Sequence, residues 1–349
     1  MLFDHHGPDA DHPPHPVPSF LLPEDCWDGD NRIVYNAEVG VCSEIVRVEL
    51  RTSKGYPLKL ADEDTGLSSV AGRTRRQREM TPAGNTFLRE RVLGTSKAIT
   101  WDNGEEMRLE GVFTTPPAAV AKPPYKLVVF PHGGPHSRAA LGFNFTVEIF
   151  AANGYAVFQP NFRGSSGYGQ KFFDADRGDF GGGDMRDILT GIDHLVKEKL
   201  VDPGQQFVYG ISYGGYMTCW LVGHTNQFRA AVSQNAVTDL TMMWSLSDLQ
   251  SWTEWEFGGR PWEVPAAMRK HSPLTYAGSV RTPTLVLHAR DDRRCPLPMG
   301  RAFHQALSAR GVPTQMVIYP GEGHGIRQPR HREDVLRRTL EWFARYDKK

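Results

Sequence analysis

One short stretch of the chain combines a serine with glycines at a spacing that suits nucleophilic catalysis. It runs from Gly210 to Gly214 and has the pattern Gly-x-Ser-x-Gly. β-branched and aromatic residues precede it at 207–209, and an apolar run follows at 216–222. A strand, a sharp turn and a helix in that order present a serine hydroxyl at the tip of the turn, beside the positive end of the helix. The tight turn requires glycine on both sides. The stretch therefore predicts that Ser212 is a nucleophile.

A serine hydroxyl needs a base to activate it, and the base needs an acid to orient it. Such groups lie at the carboxyl ends of the strands in open α/β sheets. Asp291 and Asp292 follow the apolar strand predicted at 284–288, and His324 lies in a Gly-rich loop after the strand predicted at 315–319. The order Ser, Asp, His is that of α/β-hydrolases. The residues alone leave Asp291 and Asp292 as alternatives for the acid.

A second glycine-rich stretch, Pro131-His132-Gly133-Gly134-Pro135, follows the apolar strand predicted at 126–130. An oxyanion hole requires backbone N–H groups that point at developing charge, and glycines allow close approach. We assign one donor to the Gly134 N–H and the other to the Tyr213 N–H, in preference to a plain Gly-Pro turn. His132 orients this loop or, as an alternative, takes part in catalysis directly, whereas His288 is interpreted as structural.

The elements that must position these residues alternate between strand and helix. A continuous apolar strand, of the kind that is buried on both faces of a parallel sheet, is predicted at 126–130. Further strands are predicted at 156–159, 207–211, 230–233 and 284–288. Apolar residues at helical spacing predict a helix over 185–200. Residues 238–272 are aromatic-rich and are predicted to be irregular. The pattern predicts an α/β fold with a mostly parallel central sheet.

The chain divides into three parts by composition. Residues 1–20 are rich in His and Pro and are predicted to be a disordered tail, although their histidines offer an alternative as metal ligands. Residues 21–95 are predicted to form a short β region, with strands at 32–37 and 43–50. Residues 96–349 are predicted to form the catalytic domain.

Composition excludes several classes of function. Lys+Arg and Asp+Glu both number 40, so the formal net charge of zero gives no basic field for nucleic acid. No apolar run approaches the length of about 20 residues that a membrane span needs. Residues 1–18 lack the apolar stretch of a signal peptide. We therefore expect a cytoplasmic protein with neither nucleic-acid nor membrane partners.

Five stretches together resemble the prolyl oligopeptidase family of serine peptidases, and most closely its acylaminoacyl-peptidase branch. They are Phe130–Pro135, Asn161–Gly169, Gly210–Tyr216, Asp292–Pro296 and Gly323–Gly325. The resemblance covers residues 96–349 and implies an α/β-hydrolase domain. Family members carry a whole β-propeller before this domain, so residues 21–95 are expected to be a remnant of a largely missing propeller. An exposed apolar face would then favour homo-oligomers.

The resemblance also implies roles for single residues. It selects Asp292 over Asp291 as the acid, because the family's acid lies four residues before the proline, here Pro296. Arg294 resembles the arginine that acylaminoacyl peptidases aim at a carbonyl of the substrate. Val237 matches a wall of the family's pocket for the residue before the scissile bond.

We therefore expect a serine peptidase that cleaves short or N-acylated peptides through Ser212, His324 and Asp292, with no metal or cofactor. A carboxylesterase with the same triad is one alternative. A non-catalytic remnant that binds a partner is the other, and the intact triad argues against it.

Overall fold

A computed structural model describes residues 32–49, 91–105 and 107–347 of the chain. The predicted tail at 1–20 and most of the predicted β region at 21–95 lie outside these residues. In the described part, no helix is both long and apolar enough to cross a membrane.

Ten strands are described, and they form two sheets. Their bounds are β1 Arg32–Val39, β2 Cys42–Glu49, β3 Thr95–Asp102, β4 Arg108–Thr115, β5 Tyr125–Val129, β6 Tyr155–Asn161, β7 Val201–Ile211, β8 Ala230–Gln234, β9 Thr284–Ala289 and β10 Thr314–Tyr319. β1 and β2 form an antiparallel hairpin. The other eight strands form one sheet in the order β10-β9-β8-β7-β5-β6-β4-β3.

Nine α-helices connect or flank the strands in the described residues. Their bounds are α1 Phe145–Ala152, α2 Gln170–Phe173, α3 Gly183–Lys197, α4 Tyr213–His224, α5 Leu240–Leu246, α6 Gln250–Phe257, α7 Pro265–Lys270, α8 Leu297–Ala309 and α9 Pro329–Tyr346.

The larger sheet is parallel from β10 to β6 and antiparallel only where β4 and β3 join it. The predicted fold class, an α/β-hydrolase fold with a mostly parallel sheet, is thereby confirmed. Because β5, β7, β8, β9 and β10 are parallel neighbours, their carboxyl ends lie along one edge of the sheet. The loops that follow them carry the residues singled out from the sequence.

Helices cover both faces of this sheet at its centre, which explains why the central strand β5 is apolar at successive positions. In β5, Leu127 and Val129 pack in the cluster that includes residues of α3, α4 and α8. Val128, between them, packs in the cluster that includes residues of α1 and α9. Successive side chains of a strand point to opposite faces, so a strand covered on both sides must be apolar at every position.

The segment predicted to be irregular is largely helical instead. Residues 238–272 contain α5, α6 and α7, which are helices of eight residues or fewer. α5 begins at an N-cap, where the Asp239 side chain accepts a hydrogen bond from the Met242 N–H. The helices are too short to show a clear apolar period, so the pattern gave no helical signal.

The turn of the β1–β2 hairpin contacts the large sheet and its loops. The Val41 N–H donates to Glu110 Oε2 at 2.9 Å, and the Gly40 N–H donates to the Gly167 carbonyl at 2.9 Å. Val41 is buried against Val112 and Ala139. The hairpin is therefore tied to the domain that carries Ser212.

Candidate active site

Ser212 lies at the turn between β7 and α4 with a strained backbone. Its φ of 61° and ψ of −120° are rare for a residue with a side chain. A Cβ at Gly210 would lie 2.0 Å from the Gly214 carbonyl oxygen, and a Cβ at Gly214 would lie 2.2 Å from the Pro131 oxygen. The strained conformation of Ser212 is therefore possible because the glycines on either side leave room for the neighbouring backbone.

The three residues predicted as the triad lie in one hydrogen-bonded chain. His324 Nε2 is 3.0 Å from Ser212 Oγ, and His324 Nδ1 is 2.8 Å from Asp292 Oδ2. The Asp292 side chain is completely buried, whereas about a third of the His324 side chain is exposed. In an arrangement of nucleophile, base and orienting acid, the base can remove the serine proton as the hydroxyl attacks a carbonyl, here at a site that a substrate can reach.

The loop after β9 distinguishes the two candidate acids. Asp292 Oδ1 accepts hydrogen bonds from the backbone N–H groups of Arg294 and Cys295, both at 2.9 Å. Asp291 is more than half exposed and pairs with Arg290. Asp292 is thus the carboxylate that is fixed against His324, whereas Asp291 pairs with Arg290.

Asn235, in the loop after β8, secures the histidine loop from the other side. Its side-chain amide donates to the His324 carbonyl at 2.7 Å and accepts from the Ala289 N–H at 2.8 Å. The residue has a positive φ of 46°, which asparagine tolerates better than most residues. Sequence reasoning did not single out Asn235 as a positioning residue.

The Gly133–Gly134 loop passes beside the serine. A Cβ at Gly133 would lie 3.5 Å from Ser212 Cβ, and Gly134 has a φ of +120° that favours glycine. Tyr213 is the first residue of α4, where a backbone N–H has no partner inside the helix. Both proposed oxyanion donors therefore belong to residues beside Ser212.

His132 is tied to the structure around this loop. Its ring stacks on Phe162, with Nδ1 2.8 Å from the Gly133 oxygen and Nε2 2.8 Å from Ser165 Oγ. Burial lowers the pKa of His132 to about 4, so the ring is neutral at physiological pH. These contacts favour a role in orienting the loop over direct catalysis. His288 is buried and its Nε2 lies 2.8 Å from the Cys295 carbonyl, which agrees with a structural role.

A cavity of about 190 Å³ opens beside the triad. Six of the seven predicted site residues line it, and Asp292 lies behind His324. The lining residues are Gly134, Ser212, Tyr213, Val237, Met243, Leu249, Trp252, Arg294, Cys295 and His324. The apolar part of this wall suits an apolar side chain next to the bond that is attacked.

Met243, Leu249 and Trp252 are lining residues that sequence reasoning missed. They lie in or beside α5 and α6, in the aromatic-rich segment predicted to be irregular. The high content of aromatic residues in this segment was the signal in the sequence that could have indicated a binding wall.

Arg294 lines the cavity while it is held by an acid outside the triad. Its Nε donates to Asp248 Oδ1 at 2.7 Å, and both side chains are about half exposed. The hydrogen bond from Arg294 lowers the pKa of Asp248. Asp248, which the sequence analysis did not single out, is therefore the acid that orients Arg294.

Cys295 is the other nucleophilic side chain near the serine. Its Sγ lies 4.0 Å from Ser212 Oγ. Burial and, to a smaller extent, the charge of Asp292 raise the pKa of the Cys295 thiol far above its usual range. The thiol therefore stays protonated, and the serine is the reactive group of the pair.

Comparison with known proteins agrees with this geometry. The chain is 34% identical over 275 residues to an uncharacterized peptidase, YuxL, of Bacillus subtilis. It is 32% identical over 254 residues to dipeptidyl-peptidase 5 of Porphyromonas endodontalis. These alignments cover 77% and 71% of this chain. Among solved structures, the acylaminoacyl peptidase of Pyrococcus horikoshii superposes with a TM-score of 0.78 at 26% identity, over 91% of this chain.

The chain spans about half the length of these relatives or less: 42% of YuxL, 36% of the dipeptidyl-peptidase and 54% of the Pyrococcus chain. Residues 141–349 match the prolyl oligopeptidase family, and this range includes Ser212, Asp292 and His324. The resemblance seen in the sequence is confirmed, and the chain belongs to the prolyl oligopeptidase family.

Proposed function

We propose that this protein is a serine peptidase that hydrolyses peptide bonds of short or N-acylated peptides through an acyl-enzyme. The observation that carries the proposal is the chain of hydrogen bonds from Asp292 through His324 to Ser212 at the mouth of the cavity. The names of the related proteins, acylaminoacyl peptidase and dipeptidyl-peptidase, describe peptidases, and the first name specifies an acylated amino acid, which supports this substrate class.

In the proposed reaction, Ser212 Oγ attacks the peptide carbonyl as His324 Nε2 accepts its proton. The negative charge that develops on the carbonyl oxygen is stabilised by the N–H groups of Gly134 and Tyr213. His324 then donates the proton to the leaving amine, and Asp292 stabilises the imidazolium throughout. A water molecule, activated by the same histidine, hydrolyses the acyl-enzyme and restores the serine.

Arg294 gives the proposal its substrate class. Its guanidinium lines the cavity and is oriented by Asp248, so it can donate to a backbone or acyl carbonyl of the substrate. Val237 and the missed residues Met243, Leu249 and Trp252 form the apolar wall of the same cavity. In this proposal the wall holds an apolar side chain next to the scissile bond.

Substitution of the serine tests the proposal. We expect Ser212→Ala to lose labelling by a fluorophosphonate probe and to lose hydrolysis of acyl-peptide p-nitroanilides, because the triad acts as a unit. Ser245→Ala, at an exposed serine of α5, is the control and should label normally. Labelling of Ser212→Ala at the wild-type level would remove Ser212 as the nucleophile.

A carboxylesterase remains the second candidate, since the triad and cavity would also accept an ester carbonyl. A panel of esters and peptides with the same acyl group separates the two. If the protein is a peptidase, removal of the Arg294 side chain should slow cleavage of the peptides more than cleavage of the esters. If the folded wild-type chain cleaves neither esters nor peptides, the non-catalytic alternative is the one that stands.

A further inference from the structure

Three ligand-bearing side chains converge outside the triad. They are His136, Asp176 and Glu256, whose ring nitrogen and carboxylate oxygens all lie within 4.8 Å of one another. His136 follows the oxyanion loop, Asp176 ends the short 3₁₀ turn after α2, and Glu256 lies on α6. The proposed reaction uses none of these groups.

The two carboxylates are buried and incompletely paired. Asp176 has no exposed surface and Glu256 only 1%. Three of their oxygens, both of Asp176 and the Oε2 of Glu256, have no hydrogen-bond partner among the described residues. An ionised carboxylate in such a place costs several kcal/mol unless it is neutralised.

A proton alone would not satisfy this arrangement. A proton on Asp176 would sit on one of its two oxygens and would leave the other without a donor in the described part of the chain. A protonated His136 would pair only with Glu256 Oε1, at 2.8 Å, and would leave Asp176 as it is. One cation in contact with all three groups would satisfy each of them.

The orientation of His136 matches that of a metal ligand. Its Nδ1 lies 2.8 Å from the Gly164 carbonyl and donates to it, so Nε2, which is 2.8 Å from Glu256 Oε1, is the ring nitrogen that a metal ion would bind in place of a proton. Metal-binding histidines commonly donate their other ring N–H to a backbone carbonyl in this way. The ring is also fixed by stacking on Phe173, with centroids 4.0 Å apart.

We propose that His136, Asp176 and Glu256 bind a divalent transition-metal ion of the zinc type. Two carboxylates balance the charge of one divalent ion, and one nitrogen with two oxygens is a donor set that zinc accepts, with a water as fourth ligand. Tetrahedral zinc ligands are about 3.3–3.6 Å apart, so His136 Nε2 and Glu256 Oε1, now 2.8 Å apart, would have to separate by side-chain rotation to bind the ion.

The ion would have a structural effect on the proposed active site. It would join the segment after Gly134 to α6, the helix that contributes Trp252 to the cavity wall. Backbone of the Gly-rich loop lies against the same cluster, since a Cβ at Gly164 would lie 2.2 Å from Asp176 Oδ2. Metal binding would therefore stabilise the cavity without taking part in the triad's chemistry.

The test is zinc binding by the full chain, with the tail histidines removed as competing ligands. The background variant carries His5→Gln, His6→Gln, His12→Gln and His15→Gln. After treatment with EDTA and dialysis, it is titrated with Zn²⁺ by calorimetry, and bound metal is counted after desalting. We expect one equivalent of Zn²⁺, with far weaker binding of Mg²⁺ and Ca²⁺, which prefer all-oxygen sites.

Substitutions then locate the ion. Asp176→Asn should weaken zinc binding by at least about 10-fold. Removing even a group that only supports a metal ligand typically weakens metal binding by that factor, and Asp176 would be a ligand itself. Glu254→Gln is the matched control, because Glu254 lies on the same helix and bonds Trp244 and Arg260 instead. It should bind zinc like the background variant. Circular dichroism checks that each variant is folded.

If Asp176→Asn does not fold, a second measurement tests the same proposal. Co²⁺ bound to the background variant should give visible bands of a four-coordinate nitrogen–oxygen site and raise the Tm, and Glu256→Gln should lose both. Failure of the background variant to bind Zn²⁺ stoichiometrically, or equal binding by Asp176→Asn, would overturn the proposal. Neither readout depends on peptidase activity, so the proposed function is tested separately.

Discussion

Adjacent aspartates in one loop have opposite environments. Asp292 is buried and accepts two backbone hydrogen bonds while its other oxygen faces His324. Asp291 is more than half exposed, and its carboxylate pairs with Arg290. A carboxylate that orients an imidazole must be held in place, and only Asp292 is.

This difference predicts unequal effects of two matched substitutions. Asp292→Asn should lower kcat by roughly 10⁴, because an amide facing Nδ1 stabilises the wrong imidazole tautomer. Asp291→Asn, which changes an exposed side chain, should leave kcat nearly unchanged. Steady-state hydrolysis of an acyl-peptide p-nitroanilide measures both. A larger loss in Asp291→Asn would show that the acid is assigned one residue too late.

Arg294 provides a prediction about substrate class. Arg294→Ala should slow cleavage of acyl-peptides by about 10-fold or more, as expected for the loss of a charged hydrogen bond of about 1.5–3 kcal/mol. Small p-nitrophenyl esters lack the carbonyl that Arg294 would bind and should be cleaved almost normally. Arg294→Lys should restore only part of the rate, because an ammonium does not reproduce the fork of the guanidinium.

The partner of Arg294 supplies the control for that experiment. Asp248→Asn removes the charge that orients the guanidinium at 2.7 Å but keeps Arg294 itself. It should weaken acyl-peptide cleavage less than Arg294→Ala does, and, as in that variant, cleavage of acyl-peptides should be affected more than cleavage of p-nitrophenyl esters. Equal losses on peptides and esters in Arg294→Ala would mean that the residue only supports its loop.

At the scale of elements, the turn from β7 to α4 depends on close approach of three backbone segments. Gly210 lies against the start of α4, and Gly214 lies against the loop after β5. A side chain at either position would drive these segments apart. The turn is therefore fixed by contacts on both sides as well as by its own conformation.

We expect Gly210→Ala to reduce the free energy of unfolding by about 3 kcal/mol or more, at or beyond the upper end for overpacking, because its Cβ would meet a carbonyl oxygen at 2.0 Å. Gly204→Ala is the control in the same strand, where the nearest atom would be the Asp202 carboxylate at 3.3 Å. Urea unfolding followed by circular dichroism compares the two. A loss of the same size in both variants would contradict the argument from close approach.

At the scale of the whole molecule, one helix of the described residues is buried along nearly its whole length. Every residue of α4 from Tyr213 to Gly223 is buried, because the helix packs against the sheet and its neighbours. The proposed boundary of the catalytic domain near residue 96 follows a segment at 73–86 in which charge and glycine replace any apolar period.

Limited proteolysis tests this division. Subtilisin, a protease of broad specificity, should cut first between Arg73 and Thr86, and trimming should then leave a stable fragment that begins near residue 90. Cleavage within 200–230 should occur only when urea unfolds the domain, since α4 offers no exposed backbone to the protease. Mass spectrometry of the first products identifies the sites. A first cut within 200–230 in the absence of urea would contradict the proposed domains.

Oligomerisation is also a property of the whole molecule, and it stays a prediction. Leu141, Phe143 and Phe145 form a short segment of exposed apolar side chains next to the hairpin turn. Light scattering of the purified chain measures whether copies associate.

The sequence by itself determined the fold class and the order of the nucleophile, acid and base. Strands buried on both faces are apolar at every position, and the turn after β7 requires glycines at fixed spacing, so both are encoded in adjacent residues. The predicted order Ser212, Asp292, His324 could be read because each residue follows its own strand. The family resemblance then distinguished Asp292 from Asp291.

Only the tertiary structure decided which side chains meet across the chain. Arg294 pairs with Asp248, 46 residues earlier, and Cys295 lies beside Ser212, 83 residues away. The wall helices α5 and α6, and the cluster of His136, Asp176 and Glu256, also bring distant segments together. Loops at the end of a sheet have no apolar period, so their contacts depend on how the packed strands and helices bring the loop ends together.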